Sequence, residues 1–401
     1  MTGYDYLVVG GGMAADQAVR AIREIDARGS IGILSAEALA PYDRPPLSKG
    51  LWTGAARFEA IFHHLDYGDL GVDLRLGSVV ETIRPDEHVI VCAGGVTWAY
   101  GKLLLATGCE PRRLAADVAD PGDVLAYRTA ADYLRLRRAI EEGARRVVIV
   151  GGGFIGAELA ASLSTVDGVR VTLLFPEPSL WRARLPASLS AFVTAYFRDR
   201  GVDVAAGDGV GKVVRGPGGD LEVRTSGGTS KGADLVVSGL GVTPRVTLAR
   251  DAGLEVADGI VVDRLCRTSA PDVFSAGDVA SFPSYDGGRI RIEHEDHAHH
   301  HGRAAGASMV GGGEPYDRVP MFYSDLFDLG FEAVGRLDSR LTLVEDWFEP
   351  HRQGVVYYLD GTGRVAGVLL WNVWDRVEAA RALMREARAW TAEDLRRRIA
   401  P

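Results

Sequence analysis

The spacing of apolar residues sets the first expectation. Residues 4–9 read YDYLVV, an apolar run of strand length, and residues 16–25 read DQAVRAIREI, whose apolar positions recur at helical spacing. The glycine turn GGGMAA lies between them, and IGILS follows as a second strand. The same order returns at 146–177 as RVVIV, GGGFIG, AELAASLS and VRVTLLFPE. Two such strand–turn–helix–strand units in one chain predict an α/β protein with two nucleotide-binding domains of common design.

Between the units, residues 77–112 read as short strands with Gly-rich turns; VDVAAG, GDLEVRTS and DLVVSGLG supply similar material after the second. From about residue 314 the texture changes. AVGRL, LTLVEDWF, GVVYYL and VAGVLLWNV predict strands, with a D-G turn at Asp360-Gly361. RVEAARALMREARAW predicts a helix, and TAEDLRRRI a second one opening on Thr391 as N-cap. The last part of the chain is therefore expected to be a small sheet-plus-helix domain.

Composition narrows the class. A length of 401 residues allows two or three cores, and 47% apolar with 25% charged residues is ordinary for a soluble globular chain. No apolar run reaches the ~18–20 residues of a membrane helix. The first strand begins at once, leaving no room for a signal peptide, so a cytoplasmic protein without membrane contact is expected. A net charge of −9 argues against nucleic acid as a partner. Cys92, Cys109 and Cys266 are far apart and form no C-x-x-C, so no redox dithiol is readable.

The glycine turns carry the chemistry. In G-x-G-x-x-G/A the first Gly turns the chain and the second lets a pyrophosphate approach the backbone. The third position needs a small residue for helix–strand contact. Gly10, Gly12 and Ala15 fill one copy; Gly151, Gly153 and Gly156 fill the other. An acid follows each, Glu37 after 27 positions and Glu177 after 26. Glu177 is placed to accept from an adenosine ribose and repel a 2′-phosphate, which favours NAD over NADP. Arg182 and Arg184 follow closely and offer a phosphate site instead.

PYDRPPLSK (41–49), LLLATGCEPR (103–112), GGGFIGAE (151–158) and FSAGD (274–278) resemble signatures of the FAD-dependent pyridine nucleotide-disulfide oxidoreductases. Within that superfamily the chain resembles the ferredoxin reductases. Through RIEHEDHAHHHGRAAG, PYDRVPMFYSDLFDLGFEAVG and GVVYYLDGTGRVAGVLLWNVWDR it resembles the apoptosis-inducing-factor flavoproteins. The resemblance implies an FAD-binding domain over 1–115 and 245–313, an NAD-binding domain over 116–244 and a C-terminal α+β domain over 314–401. It implies FAD at Gly10, Gly12, Met13, Ala14 and Ala15, with Glu37 near the ribose; the family carries its acid where Ala36 stands. Arg44 and Lys49 would face the FAD, and Val80 its adenine. Thr107, Gly108 and Arg112 would add contacts, and Gly277 with Asp278 would meet the ribityl chain. The second turn would hold NAD(H) through Gly151, Gly152, Gly153, Phe154, Ile155, Gly156 and Glu177, with Gly241 close by. Tyr323, where the family has Trp, would sit near the nicotinamide with Glu332, and Asn372 is another cofactor-side position. Glu158 would pair with Lys49 beneath the flavin.

The residues agree with that chemistry. A buried Lys49 stabilises negative charge on a reduced flavin, and Glu158 keeps the lysine charged and oriented. Without a dithiol, electrons must leave the flavin directly. An NADH-dependent reductase passing them to an external acceptor, a small iron–sulfur protein of ferredoxin type, is the leading expectation. A ferredoxin is usually acidic, and the 375–401 segment, with seven arginines against five acids, offers only a faint basic patch. The alternative is a redox-responsive protein of the apoptosis-inducing-factor kind, a slow oxidase whose NADH complex is long-lived and which forms a homodimer. The chain lacks that group's long insertion and targeting leader, so no apoptotic role is expected.

The run RIEHEDHAHHHGR, 291–303, holds five of the nine histidines. His294-Glu295 is followed by His297, one residue short of H-E-x-x-H, and no third ligand falls at a closing helical spacing, so no metal is expected. Its expected place is the start of a helix directly after the FSAGD strand, with the helix N-terminus aimed at the flavin. By resemblance Glu293 would face NAD, and His294 and Glu295 the FAD.

Overall fold

The run Gly3–Val9 forms strand β1, and its apolar character follows from its position. Val8 pairs with Ile33 on one side and Leu104 on the other, in strands parallel to it. The computed structural model describes residues 2–63, 67–216 and 218–401. It divides into two units: Met1–Asp43 with Phe58–Glu110 and Thr243–Pro320, and Arg44–Arg57 with Pro111–Val242 and Met321–Pro401.

In the first unit β1 lies within a seven-stranded sheet. On one side come β2 (Ile31–Leu34) and β3 (Val72–Arg75); on the other come β6 (Thr97–Leu105), β5 (Val89–Cys92) and β4 (Val80–Arg84). Val273–Ser275 pairs in parallel with the last residues of β6. Helix α1 (Met13–Ile25) buries Ala15, Ala18, Val19 and Ile22 against Val8, Ile31, Ile33 and Leu104. Each such aliphatic side chain contributes roughly 1.5–3 kcal/mol when fully buried. The helix Glu295–Met309 packs on α1 through Gly302 and Gly306, where a Cβ would collide with the carbonyls of Ala14 and Ala18.

In the second unit the strands Asp203–Ala206, Arg170–Phe175, Arg146–Val150, Leu235–Ser238 and Val124–Ala126 form a parallel sheet in that order. The C-terminal sheet is antiparallel, in the order Met321–Leu326, Leu329–Gly335, Val365–Trp371, Gln353–Leu359 and Thr342–Glu349.

Several boundaries differ from the pattern. Helices begin at Met13 and Phe154, taking the last three residues of each turn, because Gly12 and Gly153 are the extended N-caps. Strand Met321–Leu326 has no alternating signature, since Ser324 and Leu326 are the residues it buries. The helix Val377–Arg385 ends before Glu386, whose backbone is extended. The last helix is only Ala392–Leu395, capped reciprocally by Thr391 and Asp394; Arg397 turns left-handed at φ 57° and gives its amide to Asp346. The histidine helix does not follow the FSAGD strand directly. Strands Ala280–Pro283 and Arg289–Ile290 intervene, reversing through Gly287 and Gly288, both at positive φ.

Candidate functional site

In the first glycine turn each glycine has a different reason. Gly10 has φ 120°, and a Cβ there would strike the carbonyl of Ala106. Gly12 faces open space, with nothing within 4 Å of a Cβ, at the uncapped start of α1. Amides of Met13, Ala14 and Ala15 thus open a helix that has no side-chain cap among the described residues. That combination fits a dinucleotide pyrophosphate: clearance over Gly12 and unsatisfied N–H groups with partial positive charge. Gly277, at φ 75°, lies so near Ala14 that its Cβ would come within 2.9 Å of that methyl group.

Asp278 is held from behind. Its carbonyl accepts from Arg291 Nη1 at 3.2 Å and from Cys109 Sγ at 3.4 Å. Thr107 Oγ1 donates to Arg245 O, and the Gly108 carbonyl accepts from the Arg245 amide. Val80 is buried at the start of β4. The Glu37 carboxylate accepts from Tyr42 Oη at 2.6 Å, which fixes it beside the end of β2.

The second turn repeats the design with tighter packing. Gly151 has φ 114° and would bring a Cβ within 2.5 Å of the Gly239 carbonyl; at Gly156 a Cβ would collide with the carbonyl of Gly151. Gly152 lies over the Phe175 ring, and Gly153 caps the helix Phe154–Leu163 without a side-chain partner. Phe154 packs on Trp181 and Phe322, both at 5.1 Å between centroids, with the Arg184 guanidinium 5.3 Å above its ring. Ile155 and Glu177 are exposed, and Gly241 has φ 80°. Arg112 donates its amide to Gly241 O and its Nε to Val242 O.

Glu158 is the buried centre of the second unit. It lies one turn into the helix, 4% exposed, with Lys49 Nζ 3.2 Å from Oε1. Ser324 Oγ donates to Oε1 and Ser48 Oγ to Oε2, each at 2.7 Å. Burial pushes the carboxyl up from its usual range, while the Lys49 charge and the two hydroxyls pull it back. Lys49 also lies 3.5 Å from Asp325 and 4.0 Å above the ring of Tyr323. The sequence pairs Lys49 with Glu158 only by resemblance; Ser48, Ser324 and Asp325 join through the fold. Ser48 sits beside Lys49 in the PPLSK segment, the one sequence hint for it.

Other expected residues have defined surroundings. Arg44 Nη1 donates to the Arg128 carbonyl. Glu332 stands opposite Tyr323 in the sheet, and burial raises its carboxyl above the usual range, assisted by Asp375. Asn372 spends its amide on the backbone: Oδ1 accepts from the Gly330 amide and Nδ2 donates to Arg352 O.

The histidine run divides by face. His294 is the N-cap of the helix, with Glu295 and Asp296 in the first turn, where their charge offsets the positive helix end. Glu293 bonds Arg291. His297 and His301 are fully buried, packed with Phe282 and Tyr316, and burial holds both imidazoles well below their usual pKa, His301 at about 3. His301 Nδ1 accepts the Gly277 amide at 3.3 Å, so this residue supports the FSAGD turn. His300 is exposed, and His299 lies near Asp43 and His63.

The fold and both turns define a two-dinucleotide flavoprotein, and comparison with known proteins gives its family. The family model described as pyridine nucleotide-disulphide oxidoreductase matches residues 4–302, and the chain belongs to that family. It is 36% identical over 344 residues to a 5,5′-dehydrodivanillate O-demethylase ferredoxin reductase subunit from Sphingobium sp., covering 84% of this chain and 82% of that protein. It is 32% identical to mitochondrial apoptosis-inducing factor 1 of Dictyostelium discoideum, covering 98% of this chain and 80% of the relative. A solved covalent complex of putidaredoxin reductase with putidaredoxin matches with a TM-score of 0.88 and 29% identity, over 96% of this chain and 94% of that one. The protein is an FAD-dependent NAD(P)H oxidoreductase, and no two of its cysteines are joined in a disulfide. No described helix is long and apolar enough to cross a membrane.

Proposed function

We propose that this chain is an NADH-dependent reductase for a small iron–sulfur protein of ferredoxin type. The pairing of partly exposed Lys49 with buried Glu158 carries the reading, because a lysine with a fixed counter-charge is suited to a group that gains negative charge on reduction. FAD, when bound, supplies a hydride acceptor that releases electrons one at a time. Gly12 and the open start of α1 would hold its pyrophosphate, Val80 would lie against the adenine and Asp278 would accept from the ribityl chain. Gly153, Gly156 and Glu177 bind and orient NAD(H), with Glu177 disfavouring a 2′-phosphate. By the family resemblance Lys49 would offer its charge to the flavin, and Ser48 and Ser324 hold Glu158 in place against the lysine. The domain division is 1–115 with 245–313 for FAD, 116–244 for NAD and 314–401 for the C-terminal part, in a cytoplasmic protein.

The ferredoxin assignment draws support from the likeness to a ferredoxin reductase subunit and to a reductase solved with its putidaredoxin. Anaerobic stopped-flow mixing with NADH, followed by reoxidation with a panel of ferredoxins, tests it. Prompt bleaching and fast turnover with at least one ferredoxin are expected; a flavin that NADH leaves oxidised would exclude the reading.

The likeness to apoptosis-inducing factor 1 across 98% of the chain favours a second reading, an NADH-responsive redox sensor that forms a homodimer. Size-exclusion chromatography with and without NADH distinguishes it, since the sensor shifts to the dimer volume and the reductase does not.

A further inference from the structure

We propose that Asp43, His63 and His299 form a zinc site in the first unit, with Asp16 as its supporting carboxylate. The three residues come from three separate pieces of chain, and one potential ligand atom from each lies within 4.8 Å of the others. His63 Nε2 is 2.8 Å from Asp43 Oδ1, and His299 Nε2 is 4.0 Å from the same oxygen. A tetrahedral zinc with bonds of about 2.0–2.1 Å holds its ligand atoms about 3.3 Å apart. Side-chain adjustments on the order of 1 Å therefore close the site around a cation.

The second observation is His299 itself. Its Nε2 is buried and has no hydrogen-bond partner among the described residues, although it points toward a carboxylate. A buried ring nitrogen left unpaired is unfavourable unless something fills its lone pair or accepts its proton. Coordination does so.

The supporting contacts match what a histidine ligand needs. His63 Nδ1 lies 2.9 Å from Asp16 Oδ2, which leaves Nε2 as the face turned to Asp43. Asp16 is almost completely buried, and Arg20 and Tyr67 hold it in turn at 3.0 and 2.8 Å. A carboxylate behind the ligating ring fixes the tautomer and raises the basicity of the other nitrogen. Backbone pairing holds Asp43 and His63 side by side: Asp43 N donates to Ile61 O and His63 N to Pro41 O, across the bridge between Tyr42 and Phe62. His299 projects from the helix Glu295–Met309. Asp43 is 38% exposed, so a cation and a fourth, water ligand have access.

Two imidazoles and one carboxylate suit zinc, whereas magnesium and calcium take oxygen ligands. Zinc would replace the proton shared by His63 and Asp43, and that proton would leave to solvent. The bound ion would clasp Asp43 and His63 to the histidine helix.

The test uses the full chain, free of any histidine tag, treated with a chelator and dialysed against buffered zinc, with metal per chain measured by mass spectrometry. One zinc per chain is expected, with a raised melting temperature. His299→Ala should weaken binding at least about 10–100-fold and abolish the thermal shift, and Asp16→Asn should weaken it about 10-fold at unchanged stoichiometry. His300→Ala, on the exposed side of the same helix, should bind as the parent does. His63→Ala removes a partner of buried Asp16 and can unfold the unit, so His299→Ala and Asp43→Asn, with circular dichroism, carry the test. Less than one-tenth zinc per chain in the parent, or parent-like affinity in His299→Ala, would overturn the proposal. Neither readout depends on NADH or on an electron acceptor.

Discussion

Glu158 Oε1 lies 3.2 Å from Lys49 Nζ and 2.7 Å from Ser324 Oγ, so one buried carboxylate joins the PPLSK segment, the helix Phe154–Leu163 and a strand of the C-terminal sheet. Lys49 compensates a charge that would otherwise be buried alone, and Glu158 in return fixes where the ammonium stands.

Replacement of Glu158 separates the two roles. Glu158→Gln keeps a partner for both hydroxyls and removes the charge; flavin reduction by NADH should slow about 10–100-fold with the fold intact. Glu158→Ala leaves the Ser48 and Ser324 hydroxyls without their shared acceptor and Lys49 with Asp325 alone, and should destabilise the protein by about 1–3 kcal/mol. Stopped-flow rates and denaturant melts measure the two effects, and a Gln variant reduced at the parent rate would remove Glu158 from the reaction.

The glycines should fail in different ways. At Gly12 an added methyl group has room, so Gly12→Ala should fold but bind FAD at least about 10-fold more weakly. Gly10→Ala and Gly156→Ala place a Cβ against a carbonyl and should lower stability by several kcal/mol, roughly 2–4. Flavin content set beside the melting curve distinguishes these outcomes.

Glu177 should set the choice of nicotinamide. Glu177→Ala removes the ribose acceptor and the repulsion of a 2′-phosphate, with Arg182 and Arg184 nearby in sequence. The NADPH/NADH ratio of kcat/KM should rise about 10–100-fold. An unchanged ratio in steady-state kinetics would show that the acid is a solvated loop charge.

Asp234 should contribute acid-dependent stability. Burial would raise its carboxyl, but Arg146 and the amides of Arg145 and Arg146 outweigh that and hold it at about 2. A depressed folded-state pKa means the stabilisation is present above the unfolded value near 3.8 and is lost as pH falls through about 2. Solvent screening limits it to about 1 kcal/mol. Asp234→Asn should remove that part of the pH dependence in melts between pH 5 and about 2, and identical slopes would contradict the assignment.

The alternation and spacing of residues determined much of this protein. Both strand–glycine–helix–strand units were legible because buried parallel strands are continuous apolar runs, and because the tight turns bring Gly10 and Gly156 against backbone carbonyls where no side chain fits. The C-terminal strands were legible too, except Met321–Leu326, whose inward residue Ser324 is polar because it serves Glu158 rather than the core. Helix lengths were overestimated where Glu386 and Arg397 leave helical geometry, a backbone choice fixed by Asp346 in the case of Arg397.

What the tertiary structure alone decided is which side chains meet. Glu158 finds Ser324 across 166 positions, and His299 finds Asp43 and His63 from other elements, so a histidine run that closes no metal site within itself supplies one ligand to a cluster assembled from three segments. Local sequence carries periodicity and turn chemistry because these depend on neighbours along the chain. Charge pairing, desolvation and ligand geometry depend on neighbours in space, and those exist only once the chain has folded.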